Sequence, residues 1–286
     1  METLVLTECP RDAMQGIKEF IPTELKIKYL NALLEVGFDR LDFGSFVSPK
    51  AIPQLQDTPK IMEHLISSRT KLLAIIANER GAADAVKFNQ ITFLGYPFSV
   101  SETFQQRNTN ASIKDSLERV KVLQELCVKN NKSLLVYLSM AFGNPYGDSY
   151  SPEIVLNWAS ELHNLGVKHI ALADTIGVAE PESIQNLFKH LIPAYTDVEF
   201  IAHLHSTPQS ALEKIAAAYD SGCRNFDMAI HGFGGCPMAT DSLTGNIATE
   251  NILEFMLERN ISSKFNHSKF ANAALIANEV FASIEH

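Results

Sequence analysis

Eight short apolar segments recur along this 286-residue chain, and a longer stretch with helical character follows each of them. The short segments are apolar nearly throughout, which is typical of strands that are covered on both faces of a sheet. They are Leu4–Glu8, Phe38–Phe43, Leu72–Ala77, Gln90–Gly95, Leu134–Ser139, His169–Ala173, Glu199–His203 and Asn225–Ala229. Strands that alternate with helical crossovers predict a parallel α/β sheet.

The helical stretches carry apolar residues at helical spacing, and several begin at a capping residue such as Ser112. The clearest are Pro22–Val36, Ile113–Lys129, Ser151–Leu165, Glu182–Leu191 and Gln209–Ser221. Eight repeats at this length favour a closed (β/α)₈ TIM barrel over an open doubly wound sheet. No G-x-G-x-x-G string follows the first strand, which weighs against a dinucleotide-binding fold.

No linker rich in Pro, Gly or Ser divides the chain. We therefore expect residues 1–286 to form a single TIM-barrel catalytic domain. The segment Ser262–His286 reads as an additional C-terminal helical segment that packs against the barrel.

Composition narrows the class of protein. The net charge of −9 argues against general nucleic-acid binding, which needs a basic face, but it leaves room for an anionic small molecule. The chain shows neither a cationic leader nor an apolar run of about 20 residues, so we expect a cytoplasmic protein without a membrane span. The four cysteines, Cys9, Cys127, Cys223 and Cys236, show no C-x-x-C spacing, which argues against a structural zinc site.

In a TIM barrel the chemistry lies at the carboxyl ends of the strands. Arg11 and Asp12 follow the first strand, where Asp offers a hard oxygen ligand and Arg a planar set of donors for a carboxylate. His203 and His205 end the seventh strand, and side chains at i and i+2 of a strand share one face. The ordinary alternatives are a surface salt bridge for the first pair and a structural role for the second.

The loop Gly232–Pro237 follows the eighth strand, and its dense glycines permit a tightly turned backbone that closes over a site. Cys236 in this loop is suited to proton transfer or to nucleophilic attack, unless the loop is a plain turn. Asp42 and Asp174 end the second and sixth predicted strands, where each either orients catalytic groups or caps the next helix. Asn246 is either a further oxygen ligand or part of a common Gly-Asn turn.

Together, Asp12, His203, His205 and Asn246 form a mixed nitrogen and oxygen set. Such a set suits one Mg²⁺ or Mn²⁺ ion, with zinc as the second choice.

At these residues the chain resembles the 3-hydroxy-3-methylglutaryl-CoA lyase family, within the wider group of metal-dependent TIM-barrel lyases and Claisen-type synthases. The resemblance runs from about Thr7 to Glu250 and rests on strings that occur in family order. They are Pro10-Arg11-Asp12, Ser45–Lys50 with Pro53 and Gln54, Asp174–Val178, His203-Leu204-His205, Gly234-Gly235-Cys236-Pro237 and Gly245–Glu250. The Gly-Gly-Cys-Pro string separates the lyases from the synthases.

The resemblance implies the roles of single residues. The family's metal ligands match Asp12, His203, His205 and Asn246, and its catalytic cysteine matches Cys236. Its substrate-polarising arginine matches Arg11. The remaining matches are Asp42, at a position where the family has a longer glutamate, together with Gln15 and Asp174 on the substrate side.

The implied reaction is a retro-Claisen cleavage of an acyl-CoA substrate into acetoacetate and acetyl-CoA, as in leucine breakdown. His203, with or without Asp12, would take the hydroxyl proton, Arg11 would stabilise the enolate oxygen and Cys236 would protonate the enolate carbon. A homodimer is also expected from the resemblance.

The chain departs from the family pattern at Ala13–Ile17, Asn144, Ser206 and Met238, which leaves the acyl group open. Three alternatives therefore remain. They are a lyase for a different 3-hydroxy-acyl-CoA, a synthase that condenses acetyl-CoA with a 2-oxo acid, and a non-catalytic barrel that binds a CoA ester.

Overall fold

The computed structural model describes residues 3–235 and 244–282, and its eight strands form one closed barrel in sequence order. All neighbouring strands are parallel, and the eighth strand pairs with the first through Thr7 and Asp227. The predicted (β/α)₈ barrel is therefore confirmed. The strands are Val5–Glu8 (β1), Arg40–Ser45 (β2), Lys71–Ile75 (β3), Ile91–Ser99 (β4), Ser133–Ser139 (β5), His169–Ala173 (β6), Glu199–His203 (β7) and Asn225–Met228 (β8).

The described residues form eleven α-helices, and the five predicted ones are among them. They are Pro10–Gln15 (α1), Thr23–Val36 (α2), Thr58–Met62 (α3), Glu79–Ala85 (α4), Glu102–Thr109 (α5), Ile113–Lys129 (α6), Pro152–Asn164 (α7), Pro181–Ala194 (α8), Ala211–Asp220 (α9), Thr249–Glu258 (α10) and His267–Val280 (α11). Helix α11 lies in the predicted C-terminal segment and packs against α2. Residues 283–286 of that segment lie outside the described residues.

Helix α6 shows how the sequence sets these elements. The Ser112 side chain accepts a hydrogen bond from the backbone N–H of Asp115, which confirms the predicted N-cap. Val120, Leu123 and Cys127 are fully buried at spacings of three and four residues, so one stripe of the helix faces the sheet. Truncating Leu123 to Ala would cost about 2–5 kcal/mol of stability because it would leave a cavity there.

Strand β2 differs from its predicted bounds in a way that matters for the site. The sequence predicts Phe38–Phe43, whereas the strand runs from Arg40 to Ser45. The prediction that Asp42 ends the strand is therefore wrong, because Asp42 is its third residue and lies just before a shift of register. The apolar pattern stops at Phe43, but the backbone N–H of Ser45 is held by the Thr58 hydroxyl and keeps the strand extended.

Strand β4 also extends beyond the prediction, from Gly95 to Ser99. Pro97 lacks a backbone donor, and a proline usually interrupts a strand. The pairing with β5 nevertheless continues through Pro97 and Tyr137 to Ser99 and Ser139.

Two apolar layers fix the barrel. The larger lies between the strands and the surrounding helices, and the smaller fills the barrel interior with Leu73, Ile75, Phe93, Leu135, Tyr137, Ala171 and Ile201. Because the interior is packed, a site for a small molecule is expected at an end of the barrel. Within the described ranges, every helix is too short or too polar to cross a membrane.

Candidate active site

A cavity of about 110 Å³ opens at the carboxyl ends of the strands. One side of it is polar and carries Arg11, Asp12, Gln15, His203 and His205. The wall at the ends of β2 to β4 is largely apolar, with Val47, Ile52, Ile75, Ala77, Pro97 and Phe104, and the polar residues Asn108, Ser139 and Thr175 also line the cavity. The cavity thus sets a charged wall against an apolar one, as small-molecule sites commonly do.

Asp12, His203 and His205 meet on the polar wall. Their ligand atoms all lie within 4.8 Å of one another, and all three residues are buried. The Nε2 atoms of the two histidines are 3.4 Å apart. Strand β7 ends at His203, while His205 lies just beyond the strand and pairs with Asn246 in a single antiparallel bridge.

Asn246 joins the same cluster from the segment that precedes α10. Its Nδ2 donates a hydrogen bond to Asp12 Oδ2 at 2.8 Å and a second one to the carbonyl oxygen of Phe233 at 2.9 Å. The four predicted ligands, which come from three distant parts of the sequence, are therefore neighbours in the fold. Their roles as ligands stay a prediction.

The hydrogen bonds of the two imidazoles fix which nitrogen atoms face the cavity. His205 Nδ1 lies 2.8 Å from the carbonyl oxygen of Thr244, and His203 Nδ1 lies 3.1 Å from Asp227 Oδ2. Since both oxygens can only accept, each Nδ1 carries the hydrogen and each neutral ring presents its Nε2 lone pair. Two lone pairs facing each other at 3.4 Å repel, so this donor set fits a cation placed between them.

The charges at the cluster keep Asp12 ionised and favour a neutral His205, whereas Asp227 favours the protonated form of His203. Burial raises the pKa of Asp12, but Arg11, His203 and His205 outweigh it and lower that pKa to about 2, so the carboxylate is ionised. Burial lowers the pKa of His205, and the charge of His203 lowers it further, which favours a neutral ligand. Burial also disfavours the charged form of His203, but Asp227 outweighs it and raises that pKa.

Arg11 is buried and connects Asp12, one of the four predicted ligands, to Asp42 of β2. Its Nε donates to Asp42 Oδ2 at 2.9 Å, and its Nη1 donates to Asp12 Oδ1 and Gln15 Oε1, each at 3.0 Å. The two carboxylates raise the pKa of Arg11 despite its burial. Burial raises the pKa of Asp42 to about 6, although Arg11 acts in the opposite direction. Asp42 thus holds the guanidinium in place and does not line the cavity.

Asp174 lies behind the cavity wall and does not line the cavity. Its side chain is fully buried, with Oδ2 2.8 Å from Lys214 Nζ and Oδ1 accepting from the backbone N–H of Ala179 at 3.1 Å. The same Lys214 donates to the carbonyl oxygen of His205 at 2.8 Å. Contact of Asp174 with a substrate stays a prediction, while the geometry shows it supporting the segment that carries His205.

The glycine loop passes directly over the cluster. Gly234 has φ +117°, and a Cβ there would lie 2.4 Å from Asn246 Nδ2 and 3.3 Å from Asp12 Oδ2. Only glycine fits this position, because both the backbone conformation and the space exclude a side chain. The described part of the loop ends at Gly235, so Cys236 and Met238 lie outside the described residues.

Comparison with known proteins identifies the chain's relatives. The model of the HMGL-like family matches residues 5–276, which is nearly the whole chain. The chain belongs to the HMGL-like family.

Named relatives agree with this assignment. The chain is similar to the hydroxymethylglutaryl-CoA lyase YngG of Bacillus subtilis, with 31% identity over 93% of this chain and 88% of the relative. It is 32% identical to the 3-hydroxy-3-isohexenylglutaryl-CoA/hydroxymethylglutaryl-CoA lyase of Pseudomonas aeruginosa, over 85% of this chain and 81% of the relative. It also resembles a solved HMG-CoA lyase of Acinetobacter baumannii in complex with coenzyme A and 3-methylmalate. That match has a TM-score of 0.90 and 29% identity, and covers 98% of this chain and 92% of the other.

Two residues of this HMGL-like site were missed at the sequence level. Asp227 lies inside β8 opposite His203, and a charged residue inside a buried strand was a signal that a partner lies nearby. Tyr137 lies inside β5 and lines the cavity, with its ring 5.2 Å from that of His203. Its hydroxyl is buried and has no hydrogen-bond partner among the described residues, so it is free to meet a bound molecule.

Proposed function

We propose that this protein is a divalent-metal-dependent carbon–carbon lyase that cleaves 3-hydroxy-3-methylglutaryl-CoA into acetoacetate and acetyl-CoA. The observation that carries the proposal is the convergence of Asp12, His203 and His205 within 4.8 Å at the cavity, with Asn246 bonded to Asp12. The names of the two curated relatives point to the same substrate class.

Asp12, His203, His205 and Asn246 would hold one Mg²⁺ or Mn²⁺ ion. When bound, it would supply positive charge that polarises the substrate's hydroxyl and carboxylate oxygens and lowers the pKa of the hydroxyl group. Asn246 would offer its amide oxygen, because its Nδ2 is already committed to Asp12 and Phe233.

Arg11 would bind the thioester oxygen as negative charge develops there. Asp42 and Asp12 fix the orientation of its guanidinium before the substrate arrives, so little reorganisation is needed. Gln15 accepts from the same Nη1 that donates to Asp12, and it lines the cavity, where we propose that it contacts the substrate.

The proton steps need an acceptor and a donor. His203 would accept the hydroxyl proton at Nε2, and Asp227 would stabilise the resulting imidazolium through Nδ1–H. Because Nε2 is also the ligating atom, His203 cannot do both at the same moment, and Asp12 is the second acceptor within reach. Cys236 directly follows Gly235 in the loop whose Gly234 lies close to Asp12, and we propose that its thiol protonates the enolate carbon of acetyl-CoA.

The apolar wall of the cavity supports a second candidate function, a lyase for a larger 3-hydroxy-acyl-CoA. Val47, Ile52 and Phe104 would contact the substituent at C3, and the Pseudomonas aeruginosa relative is named for an isohexenylglutaryl substrate as well. Incubating the purified protein with thioesters of both kinds and measuring acetoacetate decides between them. No acetoacetate from the methylglutaryl thioester would overturn the first choice.

The remaining alternatives have their own outcomes. Thiol release from acetyl-CoA and a 2-oxo acid would indicate a synthase. A binding barrel would cleave none of these thioesters, and Cys236→Ala would then change nothing. We further propose that the chain is a single catalytic domain and acts in the cytoplasm. We also propose that it forms a homodimer, and sedimentation in solution would measure the number of subunits.

A further inference from the structure

A second cavity, of about 280 Å³, opens at the opposite end of the barrel. Its walls include the first residues of four strands, which are Val5 (β1), Arg40 (β2), Lys71 (β3) and Glu199 (β7). It therefore lies on the amino-terminal face, and none of the residues proposed for catalysis lines it.

Positive charge dominates the walls of this cavity. They carry the four cationic residues Arg40, Arg69, Lys71 and Lys264, against two acidic ones, Asp39 and Glu199. Both acids are already engaged, since Asp39 Oδ2 accepts from the backbone N–H of Leu6 at 3.0 Å and Glu199 pairs with Arg40. On a chain with a net charge of −9, this local surplus favours an anion.

Arg40 supplies the most specific observation. Its residue surface is only 4% exposed, and its Nη2 donates to Glu199. Its Nε and Nη1 are buried and have no hydrogen-bond partner in the part of the chain that the structure describes. Buried guanidinium donors without an acceptor are costly, and a fork of such donors matches the oxygens of a phosphate group.

The surrounding geometry concentrates the charges. The Cζ atom of Arg40 and the Nζ atom of Lys71 lie 4.8 and 6.0 Å from the centre of the same Phe93 ring. Gly37, at φ +98°, lets Arg69 approach closely, since a Cβ there would lie 3.3 Å from Arg69 Nη2. The carbonyl oxygen of Lys264 lies 3.6 Å from the same point, so the loops that carry Arg69 and Lys264 meet over Gly37.

We propose that this cavity binds a phosphate-bearing anion, either inorganic phosphate or the phosphate group of a small metabolite. Arg40 would turn its Nε and Nη1, which now have no acceptor among the described residues, toward the phosphate oxygens, while Lys71, Arg69 and Lys264 would neutralise the charge at the entrance. The site is independent of the lyase proposal, because it lies on the other face of the barrel.

The test is calorimetric titration of inorganic phosphate into the full chain at constant ionic strength, with chloride as the background anion. The variant Arg69→Ser with Lys264→Ser removes two exposed cations from the cavity, so folding should be unaffected. Its matched control is Lys121→Ser with Lys129→Ser, which removes the same charge from the exposed side of α6.

We expect the wild-type chain and the control to bind one phosphate each. The cavity variant should bind it about tenfold or more weakly, because half of the cationic groups are gone. No phosphate binding by the wild-type chain, or equal weakening in the control, would overturn the proposal.

A second titration with glycerol 3-phosphate identifies the source of the phosphate group. Tighter binding of this ester than of inorganic phosphate supports a metabolite, and equal or weaker binding supports the free ion. In either case, glycerol 3-phosphate must bind the cavity variant more weakly than it binds the wild-type chain. Equal binding to the two proteins would place the site of the ester outside this cavity and overturn the proposal.

Discussion

Lys214 donates a hydrogen bond to the carbonyl oxygen of His205 at 2.8 Å, and the same ammonium group pairs with Asp174 at 2.8 Å. A third bond reaches the carbonyl oxygen of Gly177 at 3.1 Å. The buried side chain of Lys214, in α9, thus connects Asp174, which follows β6, to the backbone of His205, a proposed metal ligand.

We predict that Lys214→Met weakens binding of Mn²⁺ and also lowers stability by about 3–5 kcal/mol, because Asp174 is left as an uncompensated buried charge. Adding Asp174→Asn should recover much of the stability but not the metal affinity. Urea denaturation and Mn²⁺ titration measure the two effects separately. The exposed Lys189→Met is the control, and unchanged Mn²⁺ affinity in both Lys214 variants would contradict a positioning role.

Asp227→Asn tests the orientation of His203. The amide cannot stabilise an imidazolium and permits the other tautomer, so we expect Mn²⁺ affinity to fall by about 10–100-fold. Turnover should fall with it, and only part of the loss should be recovered at saturating metal. Nearly normal turnover at saturating metal would show that the Asp227–His203 bond serves packing alone.

Gly234→Ala places a methyl group 2.4 Å from Asn246 Nδ2, which is too close for both to stay in place. We predict a loss of metal affinity, because Asn246 must move away from Asp12. Gly147→Ala is a matched control, since Gly147 also has positive φ, at +77°, but a Cβ there meets nothing within 4 Å. Both substitutions should cost about 1–3 kcal/mol of backbone strain, and only the first should change Mn²⁺ binding. Equal Mn²⁺ affinity in the two variants would refute the close approach of the loop.

Glu8 makes stability depend on pH. Its carboxylate accepts from the backbone N–H of Ile230 at 2.8 Å and from the Thr249 hydroxyl at 2.6 Å, on either side of the glycine loop. Burial raises the pKa of Glu8 to about 8, outweighing these hydrogen bonds, whereas the ordinary value is 4.5. A raised pKa means that the folded state binds the proton of Glu8 more tightly than the unfolded state does. The stability that this proton contributes is therefore fully present below about pH 4.5 and is lost as the pH rises through about 8.

Replacing Glu8 by Gln should remove this dependence. We predict that the stability of the wild-type chain relative to Glu8→Gln falls by about 3 kcal/mol between pH 5.5 and 8.5, as measured by urea denaturation. Groups common to both chains cancel in the difference. Parallel stability curves over this range would mean that the folded pKa of Glu8 is ordinary.

The repeat of apolar strands and amphipathic helices was sufficient to predict the barrel, because period and length are local properties of the sequence. The helices that were missed are mostly short, such as α3 and α4, and a few residues carry too little periodicity to stand out. The end of β2 was misplaced because a tertiary contact, from Thr58 to Ser45, extends the strand past its apolar residues.

For the site, the proposed ligands could be predicted because they follow strands whose carboxyl ends converge. Their supports could not, since Asp227 and Tyr137 lie within strands and Lys214 within a helix, where only the fold shows what each side chain contacts. The paired interaction of Asp42 with Arg11 likewise depends on the register of β2 beside α1. The sequence pattern thus indicated the end of the barrel where the proposed ligands lie, whereas tertiary packing determined which side chains hold them in place.

The most direct measurement is acetoacetate release from 3-hydroxy-3-methylglutaryl-CoA as Mn²⁺ is titrated into metal-stripped protein. We predict no release without metal, a rise that saturates at one ion per chain, and no such rise in His205→Ala. Release that is unaffected by stripping the metal, or no release at any Mn²⁺ concentration, would contradict the account.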